Sequence, residues 1–565
     1  MRLQPEPSHT RTTLRFILFD IKAAFPSFSH DFILNVVTHF FGVSSGIFRI
    51  VKAMHRHAAT RISVLGRRGP VFPITAGIRQ GCPASVSLFI ICFEPILRMI
   101  NAIAPHISTY GFADDIAIIL DFVFRHLPAL LALFTRFECA AGLPINSKKS
   151  FFIPLWPSPR PFQIKSKIEA IVPPWSGMQV VTAATYLGVS IGPDAPPVLW
   201  DAALKKYVER SRMIGHLHRG WGLTATLFNM LVTSTLSYVW QFVPLPRKFT
   251  NFEKSAVDRA FHLPGGSVPP IMLKSTQLLK GGRSLACASR SSRAARLRTY
   301  FKLPDRSAME DITLRALQSD YASMDPTRKH WLDNSIFNSL KKEFDEYTKS
   351  FGIVPAGTPP QKLQRLFFDN FPFNPLPEIQ GIISHKLKLY RVEKTDAELR
   401  TLAAASIQLV QLALSQLPLW AASPVIRLMF GGWPFSARFG KHDAPCRFCQ
   451  SAKGDSVQHF AECPVVKRWA RWVFAPAPPP PASVLGLLGL GSAAPPTSDD
   501  RTRHLVFILF LWEAWTAAKH APRARVFPKD CRQRLRHCGI RDSRIANLEV
   551  PVANSDPFPG DAQDD

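Results

Sequence analysis

Apolar runs that stop or start at a carboxylate set the pattern of the first third of the chain. Leu14 to Phe19 is almost wholly apolar and ends at Asp20, which reads as a buried strand. Tyr110-Gly111-Phe112-Ala113 and Ile116 to Leu120 flank the pair Asp114-Asp115, so two strands with the acidic pair in the turn of a hairpin are expected. Between these runs, apolar positions at helical spacing predict helices over His30 to Phe41, Ile47 to His57 and Ser87 to Ile100. Arg61 to Leu65 and Val71 to Ile74 read as strands joined by Gly66-Arg67-Arg68-Gly69, and a later helix, Leu127 to Ala141, is closed by Gly142. This order of elements predicts an α+β fold, an antiparallel sheet backed by helices.

Past Gly192 the proline-rich Pro193 to Pro197 marks a boundary, after which Trp200 to Arg219 and Leu223 to Phe242 carry helical patterns. Residues 304–440 are mostly helical in pattern, with loops at Pro355 to Pro360 and Pro372 to Pro377. Ala475 to Ala482 and Gly491 to Asp500 have linker compositions. The longest apolar run, Leu505 to Trp512, is cut by Glu513 and falls short of the ~20 residues of a membrane span, so a buried helix and no membrane partner are expected. These boundaries divide the chain into 1–195, 196–303, 304–440, 441–473 and 474–565.

Charge narrows the ligand. A net charge of +28 over 565 residues, with a pI of about 10.1, points to a polyanion. Arg290, Arg293 and Arg296 recur at threefold spacing and share a helix face, near Arg283 and Arg298, that suits a nucleic-acid backbone. The stretch Arg523 to Arg544 reads as a nucleic-acid tail or nuclear-import signal. Nine cysteines, an odd number with no secretory signal ahead of them, argue for reduced thiols and a metal site rather than disulfides.

The acidic pair needs a partner. Two neighbouring carboxylates repel by ~1 kcal/mol in water and by several times that when partly buried, which a divalent cation relieves. With Asp20 at a third strand end, the set suits two metal ions ~3.5 to 4 Å apart, the arrangement used for in-line phosphoryl transfer. Between the two carboxylate blocks lies Gly77-Ile78-Arg79-Gln80-Gly81-Cys82-Pro83-Ala84-Ser85, whose glycines admit close approach of a flat ligand and whose Arg79 and Gln80 can hydrogen-bond bases or phosphates.

These three blocks, in this order, resemble the palm of non-LTR retrotransposon reverse transcriptases. Gly142-Leu143-Pro144-Ile145-Asn146-Ser147-Lys148-Lys149-Ser150 and Tyr186-Leu187-Gly188-Val189 continue the likeness, the latter in the manner of a primer-grip turn. The resemblance implies an RNA-directed DNA polymerase with a right-hand palm and helical thumb. Asp20, Asp114 and Asp115 would hold two magnesium ions, and Lys149 would protonate the leaving pyrophosphate. Phe25 would exclude a ribose 2′-hydroxyl, while Gly77, Arg79, Gln80 and Gly81 would line the pocket of the nascent base pair and Tyr186, Leu187 and Gly188 would grip the primer. It further implies an RNA template, a DNA primer, deoxynucleoside triphosphates and a nuclear setting. Ala84-Ser85-Val86 departs from the family's Leu-Ser-Pro, and the nineteen residues before Asp20 are too few for the family's fingers, which implies a chain shortened at its N-terminus. Two rivals stand beside this reading: a non-catalytic nucleic-acid-binding remnant, and an intron maturase.

Cys446-Arg447-Phe448-Cys449 and His459-Phe460-Ala461-Glu462-Cys463 form Cys-x2-Cys-x9-His-x3-Cys, three soft thiolates and an imidazole suited to one tetrahedral zinc. The motif resembles the knuckle that follows the polymerase in many non-LTR elements. Arg447, Lys453, Lys467, Arg468 and Arg471, interleaved with Phe448, Trp469 and Trp472, are expected to contact phosphates and stack on bases.

Overall fold

The computed structural model describes residues 15–520 except 80, 105–106, 121, 156–160, 193, 196–198, 266, 304–306, 308–335, 353–358, 434, 436–443, 453, 475–476 and 491–496. Arg523 to Arg544 therefore lies outside the described residues. The described chain falls into two units, one up to Leu199 and one from Trp200 onward.

Among the described residues the first unit has nine strands: β1 (Arg15–Asp20), β2 (Ala59–Val64), β3 (Arg67–Pro73), β4 (Ser108–Phe112), β5 (Asp115–Leu120), β6 (Phe151–Pro154), β7 (Gln179–Val180), β8 (Ala184–Tyr186) and β9 (Val189–Ile191). Five of them make one sheet in the order β4-β5-β1-β6-β7, antiparallel except for the parallel β6–β7 edge. Its longer helices are α1 (His30–Phe41), α2 (Gly46–His55), α3 (Ser85–Asn101), α4 (Val123–Ala141) and α5 (Pro161–Ile171).

Period-two alternation explains the layering. Ile17, Phe19, Ile116, Ile118 and Phe152 point to one face and pack with Ile33 of α1, Phe89 and Phe93 of α3 and Phe134 of α4 in the main core. Phe16, Leu18, Ala117 and Ile153 point to the other face, where Ala184, Tyr186 and Ile191 of the β8–β9 hairpin cover them. Each buried aliphatic or aromatic side chain stabilises by about 1.5–3 kcal/mol, so both faces of β1 resist exposure. This accounts for the unbroken apolar run before Asp20.

Local differences from the sequence reading have plain causes. The β2–β3 turn is Leu65–Gly66, with φ values of 49° and 80°, and Arg67 already belongs to β3, because two left-handed residues make the tight turn that suits strand twist. The expected helix from Leu223 to Phe242 is broken: an α-helix over Trp221–Leu227 gives way to a wide turn over Phe228–Val232 and then tight turns over Thr233–Leu236 and Val239–Gln241. Here Ser234 donates to the Met230 carbonyl at 2.6 Å and Thr235 to that of Val232 at 2.7 Å, local bonds that compete with helical ones.

The second unit is helical. Its main members are α6 (Asp201–His216), α7 (Phe249–Ala260), α8 (Ala288–Lys302), α9 (Ile336–Phe351), α10 (Pro360–Asn370), α11 (Leu376–Leu389), α12 (Asp396–Gln416), α13 (Leu419–Met429), α14 (Val457–Glu462), α15 (Pro464–Phe474) and α16 (Ser498–His520). The run Leu505 to Leu511 is buried within α16, and no helix among the described residues is long and apolar enough to cross a membrane.

On the arginine face of α8, expected to meet nucleic acid, Arg296 turns inward and Arg290 and Arg293 are half-buried against neighbouring side chains. Arg296 is 5% exposed and donates to Glu343 of α9 and, at 2.6 Å, to Ser292. Arg293 donates to the same Glu343 at 2.5 Å and lies over the Phe371 ring at 4.1 Å. Arg290 stacks on Phe368 at 4.1 Å and donates to its carbonyl at 2.7 Å. Guanidinium groups held this way hold α8, α9 and α10 together.

Two outcomes follow from this packing. Glu343→Gln leaves the buried Arg296 guanidinium without its carboxylate, while Arg293 keeps Glu346 at 3.7 Å, and should cost about 3–5 kcal/mol in denaturant unfolding, whereas an apolar replacement of the pair, Arg296→Met with Glu343→Leu, should stay much closer to the parent. His504 is buried, with its Nε2 3.3 Å from the Leu487 carbonyl, and burial pulls its pKa down from 6.5 to about 4. The unfolded chain then binds a proton between those two values that the folded chain refuses. Stability should fall with decreasing pH from about 6.5 to about 4, by roughly 3 kcal/mol in all. In His504→Leu, urea titrations across that range should show the slope gone.

Candidate active site and metal centre

Asp20 closes β1 and stands in register with Asp115, the first residue of β5. Directly opposed residues of antiparallel strands have Cα atoms about 4.5–5.5 Å apart. By the alternation along both strands the two carboxylates share the face of Phe16, Leu18 and Ala117. Phe112 also pairs with Asp115, so the hairpin turn is Ala113–Asp114 alone and Asp115 lies in the strand rather than in the turn. Ala113 holds φ at 50°, a left-handed conformation that costs a residue with a Cβ on the order of 1 kcal/mol.

Asp115 senses its surroundings. Burial, and then the charges of Asp114 and Asp20, push the Asp115 carboxyl above its ordinary range. Tyr186 belongs to the same neighbourhood: burial and then the Asp115 charge raise its hydroxyl, and its ring meets Phe16 edge-on at 6.0 Å. The turn that follows it is Leu187–Gly188, with φ values of 48° and 79°.

The block from Gly142 to Ser150 fixes the backbone of Asp20. Asn146 donates its N–H to the Asp20 carbonyl at 2.8 Å, and Asp20 donates its own N–H to the Ser150 hydroxyl at 3.3 Å. That hydroxyl donates in turn to the Asn146 carbonyl at 2.9 Å, and Ser150 is fully buried. Lys149 sits on the single turn Ser147–Lys149 with its side chain exposed.

The loop from Gly77 rests on the segment after Asp20. Gly77 donates to the Phe28 carbonyl and Ile78 to that of Phe25, each at 2.7 Å. Gly77 has φ 95°, and a Cβ there would fall 2.7 Å from the Pro26 oxygen, so only glycine fits. His30 holds its Nε2 3.1 Å from the Gly77 carbonyl. Phe25 is half-buried and stacks on Phe89 at 4.5 Å, which joins the segment after Asp20 to α3. Arg79 is exposed, Gly81 has φ 88° with open space around it, and Gln80 lies outside the described residues. Asn146, Ser150 and His30 carry no signal that marks them singly in the sequence. The first two lie inside a recognised block, and His30 meets a residue 47 positions away.

In the second unit, Cys446, Cys449, His459 and Cys463 bring their ligand atoms within 4.8 Å of one another, the one such cluster among the described residues. Cys446 Sγ lies 4.0 Å from Cys463 Sγ, and Cys449 Sγ 3.2 Å from His459 Nε2. A tetrahedral zinc thiolate site has edges of about 3.8 Å, so the donor set fits that ion. The hydrogen bond from Cys463 pulls the Cys446 thiol down to about 5, and the same contact pushes Cys463 up.

The surroundings of this cluster correct the expected nucleic-acid role of its aromatics. Phe448 and Trp469 are buried against each other at 4.9 Å, with Phe460 at 5.1 Å from the first and Phe510 at 5.3 Å from the second. Arg447 reaches Asp455 at 3.4 Å and lies 5.1 Å from the Trp515 ring. Lys453 and the side chain of Trp472 lie outside what is described.

Comparison with known proteins adds lineage to this geometry. Residues 6–191 match the reverse transcriptase (RNA-dependent DNA polymerase) family. A retrovirus-related Pol polyprotein from the type-1 retrotransposable element R2 of Bradysia coprophila is 27% identical over 302 residues, covering 50% of this chain and 33% of the relative. Its counterpart in Popillia japonica is 29% identical over 147 residues, 24% of each. The chain thus spans a third or less of the length of these relatives. A telomerase structure from Candida tropicalis matches 32% of the chain at 15% identity with a TM-score of 0.25, a likeness too slight to bear on the fold. With the acidic hairpin, the Gly77 loop and the Asp20 strand all inside the matched span, residues 6–191 form a reverse transcriptase domain of the non-LTR retrotransposon kind.

Proposed function

We propose that this chain is an RNA-directed DNA polymerase, extending a primer 3′-hydroxyl with deoxynucleoside triphosphates on an RNA template. The observation that carries the proposal is the register that sets Asp20 against Asp115, with Asp114 one residue away in the turn. Two magnesium ions suit these oxygens, and when bound they supply charge neutralisation at the attacking and leaving oxygens of the transferred nucleotidyl group. Asp20 and Asp114 are the principal ligands in this reading and Asp115 the third.

The remaining roles belong to side chains that shape the site. Phe25 would sit beneath the incoming sugar and leave no volume for a 2′-hydroxyl, while the Gly77 to Gly81 loop would flank the new base pair and the Tyr186 hairpin would hold the primer end. Lys149, exposed next to the Asp20 anchor, would donate a proton to the departing pyrophosphate. One zinc held by Cys446, Cys449, His459 and Cys463 would be structural, since a closed set of four protein ligands leaves no open position for chemistry.

In primer extension on an RNA template, Asp114→Asn should lower the rate by more than about a thousandfold, several kcal/mol of lost transition-state stabilisation, with RNA binding and melting behaviour kept. Retained incorporation would refute the assignment. A parent chain that binds RNA but never extends a primer would mark a binding protein without catalysis. Phe25→Ala should raise ribonucleotide use at least tenfold relative to deoxynucleotide use, and an unchanged ratio would remove the sugar-excluding role. Metal analysis of protein purified without chelator should find about one zinc per chain. Chelation should melt the helices around the knuckle, as expected where metal binding supplies folding energy.

A further inference from the structure

A basic surface fully open to solvent lies on the β2–β3 ribbon. From Phe32 to Phe93 the chain carries seven arginines and lysines and no aspartate or glutamate. Three of the seven, Arg61, Arg67 and Arg68, are on the ribbon, and all three are exposed. Every residue of β2 is exposed, and all but Gly69 of β3. The apolar side chains stand out with them: Leu65 at the tip is 99% exposed, Ile62 and Val64 each 63%, Val71 58% and Phe72 43%. Register places Arg61 opposite Val71 and Val64 opposite Arg67, so cations and apolar groups alternate across the ribbon. Its base is fixed, with Ile74 donating to the Ala58 carbonyl at 2.7 Å and Arg79 of the Gly77 loop donating to that of Ala59 at 3.4 Å.

We propose that this ribbon binds single-stranded RNA, its arginines on phosphates and its Phe72 and Leu65 against unpaired bases. Charge decides between occupants. A second copy of the ribbon would bring like charges together, and an acid-free surface with this many guanidiniums favours a polyanion. The exposed ring and the apolar tip decide between single and double strands, because unpaired bases stack on such groups whereas a duplex hides its faces. Single-stranded RNA rather than DNA rests on the polymerase reading above: the ribbon's base is tied to the loop assigned to the nascent pair, so the strand it meets is template that has not yet been copied.

The test is fluorescence anisotropy with labelled twenty-nucleotide single-stranded RNA, single-stranded DNA and duplex DNA, using the full chain without nucleotides. The triple variant Arg61→Gln, Arg67→Gln, Arg68→Gln should bind the RNA at least tenfold more weakly at physiological salt. The slope of log Kd against log salt should fall by about two, at roughly 0.7 per phosphate contact. Phe72→Ala should weaken binding about five- to hundredfold. Melting temperatures should stay at the parent value, since these side chains are exposed, and a charge-matched control, Arg125→Gln, Arg136→Gln, Lys165→Gln, should bind as the parent does. Unchanged affinity in the ribbon variant, or an equal loss in the control, overturns the proposal. An equal loss on single-stranded or duplex DNA overturns the assignment to RNA, and a ribbon variant that turns a dimer into a monomer shows a protein partner instead. The assay needs no turnover, so an inactive polymerase leaves its result intact, and a chain that extends primers without losing affinity in the variant sinks the ribbon alone.

Discussion

The backbone register between β1 and β5 is the constraint on which the site depends. It holds Asp20 opposite Asp115, whose carboxyl is raised first by burial and then by the charges of Asp114 and Asp20. Only a fold that is stable for other reasons can impose such a pairing. Those reasons are the two apolar layers, helices against Ile17 and Phe19 on one side and the β8–β9 hairpin against Phe16 and Leu18 on the other. A slip of one residue would turn Asp20 toward the helix core, where an unpaired carboxylate is far more costly than any apolar contact the slip could recover.

Around that pairing the chain spends its hydrogen bonds on the backbone rather than on the acids themselves. Asn146 and Ser150 hold Asp20 from behind, and Phe25, Phe28 and His30 hold the Gly77 loop. The knuckle follows a different logic, with Phe448 and Trp469 packed among the surrounding helices, so that the cluster is tied into a larger body.

The two arginine sets show how the same residue type serves opposite ends. On α8 Arg290, Arg293 and Arg296 each have a carboxylate, carbonyl or ring to meet, supplied by α9, α10 and the residue after α10. On the β2–β3 ribbon the surrounding sequence has no acid at all, and the arginines face water beside exposed apolar groups.

Local pattern was enough to read the α+β domain, most of its strands and helices, the three acids and the four zinc-type ligands, because apolar periodicity and short motifs are properties of neighbouring residues. Sequence also gave the right turn residue in Gly142, which caps α4 at φ 79°. What it left undecided depends on residues far apart in the chain. An unbroken apolar run before Asp20 does not say which face the carboxylate takes, since both faces are buried. Threefold spacing of arginines looks the same whether water or Glu343 lies opposite, and Glu343 is 47 residues from Arg296. Which basic surface stays open, and which is consumed in packing, was settled only when distant segments came together and each cation either found a partner or did not.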